Sequence, residues 1–144
     1  MRSLLLLSLV LASCSPFQRD FRRAAGGFDA EAATADGPWV GEWRSEVNGH
    51  HGPLWCLVSP SEDRPGHHDF RYRAGWGVLQ FGDYTHRVPT RRGSGASLVL
   101  DDRMELPGGF GTYRVEGTLT PATFDATYRS RGDHGTMTLR RPES

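Results

Sequence analysis

The chain has 144 residues, of which 37% are apolar, which is enough for one domain with a modest core but not for two domains. Seventeen basic residues balance seventeen acidic ones, and every basic residue is an arginine. A neutral chain has no overall field to attract nucleic acid, so no nucleic-acid partner is expected. The six histidines are the side chains expected to titrate near neutral pH.

The N-terminus carries the pattern of a secretion signal. Arg2 precedes an apolar run from Leu4 to Leu11, which is too short to span a bilayer and is typical of a signal peptide. The run ends in Leu11-Ala12-Ser13-Cys14, which resembles the lipobox of bacterial lipoproteins. This resemblance implies that residues 1–13 are removed and that Cys14 receives a lipid that anchors the protein to a membrane. An ordinary secretory cleavage site is the alternative interpretation.

Residues 14–38 are predicted to form a flexible linker. The stretch contains Gly26-Gly27 and no sustained apolar period, and as a coil it would reach roughly 25–30 Å. Ser15 occupies the position where Asp marks inner-membrane retention in proteobacterial lipoproteins, so the resemblance favours the periplasmic face of the outer membrane. Three arginines of the linker either face solvent or contact anionic lipid: Arg19, Arg22 and Arg23.

From Trp39 onward, apolar and polar residues alternate in short stretches, which predicts an antiparallel all-β domain over residues 39–144. Asn48-Gly49 favours a tight reversal after the first strand. Cys56 has no disulfide partner if Cys14 is lipidated, and it is expected to be a buried thiol. Eight strands are predicted, with Gly82 a candidate bulge: 39–47, 54–58, 70–74, 78–88, 96–106, 110–120, 124–128 and 135–141.

Eight sequential strands, each with one apolar face, are predicted to close into an up-and-down barrel. An open sheet would leave two unpaired edges, and pairing the first strand with the last removes both. In such a barrel the turns after the odd-numbered strands all lie at one end, which we call the mouth. The turns after the even-numbered strands lie at the other end, which we call the floor.

Gly41-Glu42-Trp43 on the first strand, about eight strands and an arginine on the last strand together resemble the calycins, the group that contains the lipocalins. This resemblance implies a small lipocalin-like barrel in which Trp43 closes the floor and Arg140 or Arg141 packs across it. The stretches WRSEVNGHHG and YRSRGDHG are also similar to segments of small bacterial secreted proteins. That second likeness implies no activity.

Barrel closure predicts a group of polar residues at the mouth. The first and last strands become neighbours, so His50 and His51 should lie close to Asp133 and His134. Three imidazoles could bind a transition metal, and an imidazole could act as a general base. The alternative is that all four are turn residues hydrogen-bonded within their hairpins. His67-His68 falls at the floor and is predicted to be a solvated loop.

The barrel interior is the second candidate site. A barrel of this size is either filled by its own side chains or holds one small ligand, and the aromatic content favours a largely filled interior. Tyr72, Tyr113 and Tyr128 are the inward tyrosines that could contact a ligand. The side chains predicted to point inward are mostly aromatic: Trp39, Trp43, Phe70, Tyr72, Tyr113, Phe124, Tyr128 and Met137.

The sequence therefore predicts a membrane-anchored periplasmic lipoprotein that binds a small, apolar molecule or a partner through its barrel. One alternative is a packed-core interaction module of the cell envelope without a ligand. A second alternative is a metal-dependent hydrolase that uses the histidines of the mouth. The chain lacks a Ser-His-Asp order, a phosphate-binding loop and a CxxC motif, so no catalytic residue and no cofactor are predicted, and a monomer is expected.

Overall fold

The computed structural model describes residues 15–31, 34–77, 79–106 and 111–143. The predicted signal peptide, Cys14 and the turn Pro107–Gly109 lie outside the described residues. None of the helices in the described part has the length and apolar character needed to cross a membrane. The elements are α1 (Pro16–Gly26), β1 (Gly37–Ser45), β2 (His51–Pro60), β3 (His67–Trp76), β4 (Leu79–Arg92), β5 (Leu98–Leu106), β6 (Gly111–Leu119), β7 (Thr123–Arg129) and β8 (His134–Arg140).

The eight strands form the predicted closed antiparallel barrel. Each strand pairs with its neighbours in the chain, and β1 pairs with β8. This last pairing sets Gly41 opposite Leu139 and Trp43 opposite Met137. A Cβ atom on Gly41 would overlap the carbonyl oxygen of Thr138, so only glycine permits the close approach of the two strands that completes the barrel.

The predicted bulge in β4 is confirmed. Tyr72 pairs with Tyr84, whereas Ala74, two residues further along β3, pairs with Phe81, three residues back along β4. One extra residue of β4 is therefore accommodated around Gly82.

The contact between β4 and β5 is short. Hydrogen-bonded pairing in the described residues is confined to Thr90–Arg92 with Leu98–Leu100, at the floor end of both strands. Pro89 precedes Thr90 on the mouth side of these pairs, and it has no N–H group to donate a further hydrogen bond to β5. Among the described residues, the barrel wall therefore has a seam between β4 and β5 on the mouth side of Pro89, where the two strands are not paired.

The expectation of a flexible coil over residues 14–38 is wrong for residues 16–26, which form α1. The Ser15 hydroxyl accepts a hydrogen bond from the Gln18 N–H, and the Gln18 side chain accepts one from the Ser15 N–H, which makes a capping box. The helix packs on the outside of the barrel through the buried Phe17. Arg71 of β3 lies 5.6 Å from the Phe17 ring centroid and donates to Asp20 at 2.9 Å, which lowers the pKa of the Asp20 carboxyl.

The floor is closed by Trp39 and Arg141 rather than by Trp43 with an arginine. The Arg141 guanidinium lies 3.8 Å from the centroid of the Trp39 ring. It donates hydrogen bonds to four backbone carbonyls: those of Thr34, Asp36, Pro38 and Pro121. Because β1 runs from the floor to the mouth, Trp43 lies near the mouth, where an arginine that follows β8 cannot reach it. Arg140 is exposed on the outer face of β8.

The floor half of the interior is solid, as the aromatic content predicts. Phe70 and Phe124 pack edge to face at 6.0 Å, and Trp39 packs edge to face on Phe124 at 5.7 Å. Cys56 is fully buried, which confirms the prediction of an apolar thiol, and burial raises its pKa. The interior side chains that are almost completely removed from solvent are Trp39, Cys56, Val58, Phe70, Tyr72, Val88, Leu100, Val115, Leu119 and Phe124.

Candidate ligand site at the barrel mouth

The mouth half of the interior contains a cup of about 240 Å³. Apart from Asp133, which directly precedes β8, its residues lie on strands near the mouth, and strand alternation turns their side chains inward. A cavity of about 150 Å³ is known to hold benzene, and drug-sized ligands need about 300 Å³ or more. The cup is therefore sized for one ring or a short branched chain. It is lined by Trp43, Leu54, Ala74, Tyr113, Tyr128, Asp133 and Met137.

All four tyrosines of the chain lie in the mouth half of the barrel. Tyr113 stacks on Tyr128 with ring centroids 6.0 Å apart, and Tyr72 stacks on Tyr84 at 5.3 Å. Tyr84 and Tyr113 each influence the pKa of the other, so the two pairs lie next to each other. Burial raises the pKa of each of the four phenols, so these rings stay neutral at physiological pH and present intact hydroxyl groups to the interior.

Trp43 and Met137 form the opposite wall of the cup. The Trp43 indole N–H donates to the Gly75 carbonyl at 2.9 Å, which fixes the ring across the end of β3. The Tyr113 hydroxyl lies 3.9 Å from the Met137 sulfur. The indole face and the thioether are soft, polarisable surfaces that suit a nonpolar or cationic ligand group.

Asp133 is the one carboxylate among the residues that line the cup. The Ser45 hydroxyl donates to Asp133 Oδ1 at 2.5 Å, and the Tyr128 hydroxyl donates to Oδ2 at 3.1 Å. The negative charge of Asp133 adds to burial in raising the pKa of Tyr128. The two hydroxyls hold the carboxylate at the inner edge of the turn between β7 and β8, where it faces the cup.

The prediction that the turns after β1 and β7 are neighbours is confirmed, because the Glu46 N–H donates to the His134 carbonyl. The three imidazoles nevertheless point in different directions. His50 stacks on Trp76 with ring centroids 4.8 Å apart, His51 is exposed, and His134 lies 3.6 Å from Glu46. Within the described ranges, no group of three or more His, Cys, Asp or Glu side chains could hold a metal ion. Of the four predicted mouth residues, the structure places Asp133 in the cup and the three histidines around its outer edge.

A polar pair inside the barrel, His86 and Asp102, was missed by the sequence analysis. His86 is 3% exposed, and its Nε2 lies 3.0 Å from Asp102 Oδ2 across the seam between β4 and β5. The Nδ1 atom is buried without a hydrogen-bond partner in the described residues. Burial lowers the pKa of His86, and Asp102 opposes that shift. Alternation with Tyr84 and Val88 on β4 was the signal that could have identified His86 as an inward residue.

His68 at the floor is not part of a solvated loop, which corrects that prediction. Its Nε2 lies 3.2 Å from Asp36 Oδ1, and its Nδ1 lies 2.5 Å from the Thr90 hydroxyl. The imidazole therefore connects the segment before β1 to β3 and β4. This contact helps to hold the residues that cover the floor.

Fold and site together define a class of protein: a closed, eight-stranded antiparallel barrel, consistent with a lipocalin-like fold, with a solid floor and an aromatic cup at its mouth. No protein-family model matches the chain, and a search of curated proteins finds no significant match. The assignment to this class therefore rests on strand order, closure and the packing of Arg141 on Trp39.

Proposed function

We propose that the barrel binds a small, largely apolar molecule in the cup at its mouth. The observation that carries this proposal is the contrast between the two halves of the interior. Buried side chains pack closely in the floor half, whereas Tyr113, Tyr128 and Met137 line an open cup of about 240 Å³. A cup of this size and lining accepts one aromatic ring and provides hydroxyl groups for a polar substituent.

We also propose that the protein is a periplasmic lipoprotein held to the outer membrane through Cys14. Ser15, which caps α1, would then be the single residue between the lipid and a helix docked on the barrel. The barrel would lie against the bilayer rather than 25–30 Å away from it, which is the rough reach of a free coil of this length. In cells, Cys14→Ser should release the protein from the membrane fraction, and Cys56→Ser is the matched control. Equal membrane retention of both variants would refute the anchor.

Binding can be tested with a methionine reporter. The chain has three methionines, and Met137 lines the cup. We expect benzyl alcohol to shift the [¹³C-methyl] signal of Met137 with a dissociation constant of roughly 1 mM or lower, given its small number of heavy atoms. Assignment uses Met137→Leu. A Met137 signal that does not move at about tenfold this concentration would contradict the proposal.

Two alanine variants show whether the shift comes from the cup. Ala74→Leu adds three heavy atoms to a residue that lines the cup and should abolish binding. Ala122→Leu makes the same change at an exposed turn on the floor side and should leave the dissociation constant unchanged. If both variants bind as the parent protein does, the ligand lies elsewhere.

The packed-core interaction module is the second candidate, and the solid floor half of the barrel favours it. In that case the mouth residues would contact a protein partner and the cup would stay empty in the cell. Native mass spectrometry of the protein isolated from its own envelope separates the two functions. A bound small molecule supports the first, and a ligand-free protein that co-purifies with one stoichiometric partner supports the second.

A further inference from the structure

We infer that the cup selects ligands that carry a positive charge, such as a protonated or quaternary amine on a small apolar body. This inference rests on the proposed ligand binding and adds the chemical class of the ligand. It follows from three features of the cup: the aromatic faces, the carboxylate at the edge, and the distribution of charge across the barrel wall.

The first feature is the number of aromatic rings around one small cavity. Trp43, Tyr113 and Tyr128 all line the cup. The faces of Trp and Tyr rings carry negative electrostatic potential and attract ammonium groups, and this attraction grows when the cation is removed from water. The raised pKa values keep the phenols protonated, so the rings act through their faces and not as phenolate anions.

The second feature is Asp133, the carboxylate at the edge of the cup. Its two oxygens accept the hydroxyls of Ser45 and Tyr128, and a carboxylate has further lone pairs with which to accept a ligand N–H group. These hydroxyls also fix the position of the charge before a ligand arrives, so little ordering is required on binding. A carboxylate ligand would instead meet a like charge.

The third feature is that the charged groups described inside the barrel are carboxylates, whereas the arginines of the strands lie on its outer surface. None of the residues lining the cup is basic within the described part of the chain. Arginines of the strands are paired on the outer surface, as Arg87 is with Asp69 and Arg114 is with Asp101. Asp102 adds a second carboxylate that faces the interior, at the seam. The interior is therefore more favourable for a cation than for an anion.

Three probes of nearly the same size test the inference: benzylammonium, benzyl alcohol and benzoate, titrated at pH 7 and constant ionic strength. The Met137 methyl signal reports binding of each probe. We expect benzylammonium to bind about tenfold more tightly than benzyl alcohol, which corresponds to about 1.4 kcal/mol. Benzoate should bind more weakly than either.

Two charge variants locate the effect. Asp133→Asn keeps the shape of the side chain and removes its charge, so the preference for benzylammonium over benzyl alcohol should fall from about tenfold to about twofold or less. Asp125→Asn makes the same change in net charge on the exposed face of β7 and should leave the preference intact. The affinity for benzyl alcohol should change little in Asp125→Asn, because this residue lies outside the cup.

The outcomes separate the inference from the function on which it rests. Benzyl alcohol binding as tightly as benzylammonium, or a preference that survives Asp133→Asn, would overturn the cation selectivity while the ligand-binding function stands. Tighter binding of benzoate would do the same. No shift of Met137 with any probe would overturn both.

Discussion

The contact between Arg141 and the floor should contribute more to stability than any other single arginine contact described in the barrel. The guanidinium donates to four backbone carbonyls and lies 3.8 Å from the Trp39 ring centroid and 4.5 Å from the Phe28 ring centroid. Burial lowers the pKa of Arg141 to about 10, with Asp36 opposing the shift, so the group stays charged at pH 7. We therefore predict that Arg141→Ala strongly destabilises the protein.

The magnitude follows from the contacts that are lost. Hydrogen bonds contribute about 0.5–1.5 kcal/mol each, and the lower half of that range applies because the half-exposed carbonyls of the floor can be rehydrated. The four bonds and a cation–π contact of about 0.5–1 kcal/mol then sum to about 3 kcal/mol. At a slope of roughly 1.5 kcal/mol per molar urea, the unfolding midpoint should fall by about 2 M.

Arg140→Ala is the matched control, because Arg140 is adjacent in the chain, carries the same charge and is exposed. We expect it to change the free energy of unfolding by about 0.5 kcal/mol or less. Arg141→Lys should lower the free energy of unfolding by more than half as much as Arg141→Ala does, since an ammonium cannot reproduce the planar set of donors. Urea unfolding followed by tryptophan fluorescence measures all three. Equal midpoints for Arg140→Ala and Arg141→Ala would refute the role assigned to Arg141.

Two further predictions concern the wall of the barrel. Because burial lowers the pKa of His86 in the folded state, the proton is bound more tightly by the unfolded chain, so stability should fall as the pH drops below about 6.5. His86→Gln keeps a hydrogen-bond donor for Asp102 and should reduce the loss of unfolding free energy between pH 7 and pH 5, as measured by urea unfolding. If the free energy of unfolding depends on pH as strongly in this variant as in the parent protein, the prediction is wrong. Gly41→Ala should cost at least about 3 kcal/mol or prevent folding, because its Cβ overlaps the Thr138 carbonyl. Gly26→Ala, in open space at the end of α1, should stabilise by about 0.5 kcal/mol, and calorimetry compares the two.

The barrel could be predicted from sequence because the information is local. Leu54, Cys56 and Val58 alternate with more exposed residues on β2, and each later strand repeats this pattern between turn residues. The pairing of β1 with β8 is not local, but it follows from the cost of leaving two sheet edges open. Position-by-position alternation and one global constraint were together sufficient to predict the topology.

The assignment of the floor residues failed because the chain contains the same short motif twice, four residues apart. Gly37-Pro38-Trp39 and Gly41-Glu42-Trp43 are both G-x-W, and strand alternation places both tryptophans on the same face of β1. The direction of the strand distinguishes them, since the first motif lies at the floor and the second near the mouth. A Cβ atom on Gly37 would lie 3.3 Å from the Arg141 Nη1 atom, so this glycine belongs to the arginine contact.

The helix α1 was missed although its start signal is present. Ser15-Pro16-Phe17-Gln18 has the capping-box spacing, with proline at the first helical position. Eleven residues are too few for a stable isolated helix, and the linker interpretation follows from that weakness. Contacts with the barrel provide the stability that the isolated helix lacks, above all the burial of Phe17 and the ion pair of Asp20 with Arg71.

The histidines of the mouth show the limit of an argument from topology alone. Barrel closure correctly brings the turns together, but the alternation of side chains along each strand decides whether a given residue points inward or outward. His51 alternates with Gly52 and Leu54, and His134 alternates with Gly135 and Met137, so both face outward. The sequence alone therefore indicates that these two histidines point outward. Of the predicted mouth residues near the last strand, this leaves Asp133 as the candidate for the cup.

The composition of the mouth favours a binding function over a purely structural one. A barrel under selection for stability alone gains by burying apolar groups, as the floor half does with Trp39, Phe70 and Phe124. The mouth half instead keeps phenol hydroxyls and the Asp133 carboxylate around an unfilled volume, which forgoes that gain. Replacing Tyr113 or Tyr128 with phenylalanine keeps the ring and removes only the hydroxyl. We expect these variants to bind the probes more weakly and to be at least as stable as the parent protein. This pattern is typical of residues that are kept for a ligand.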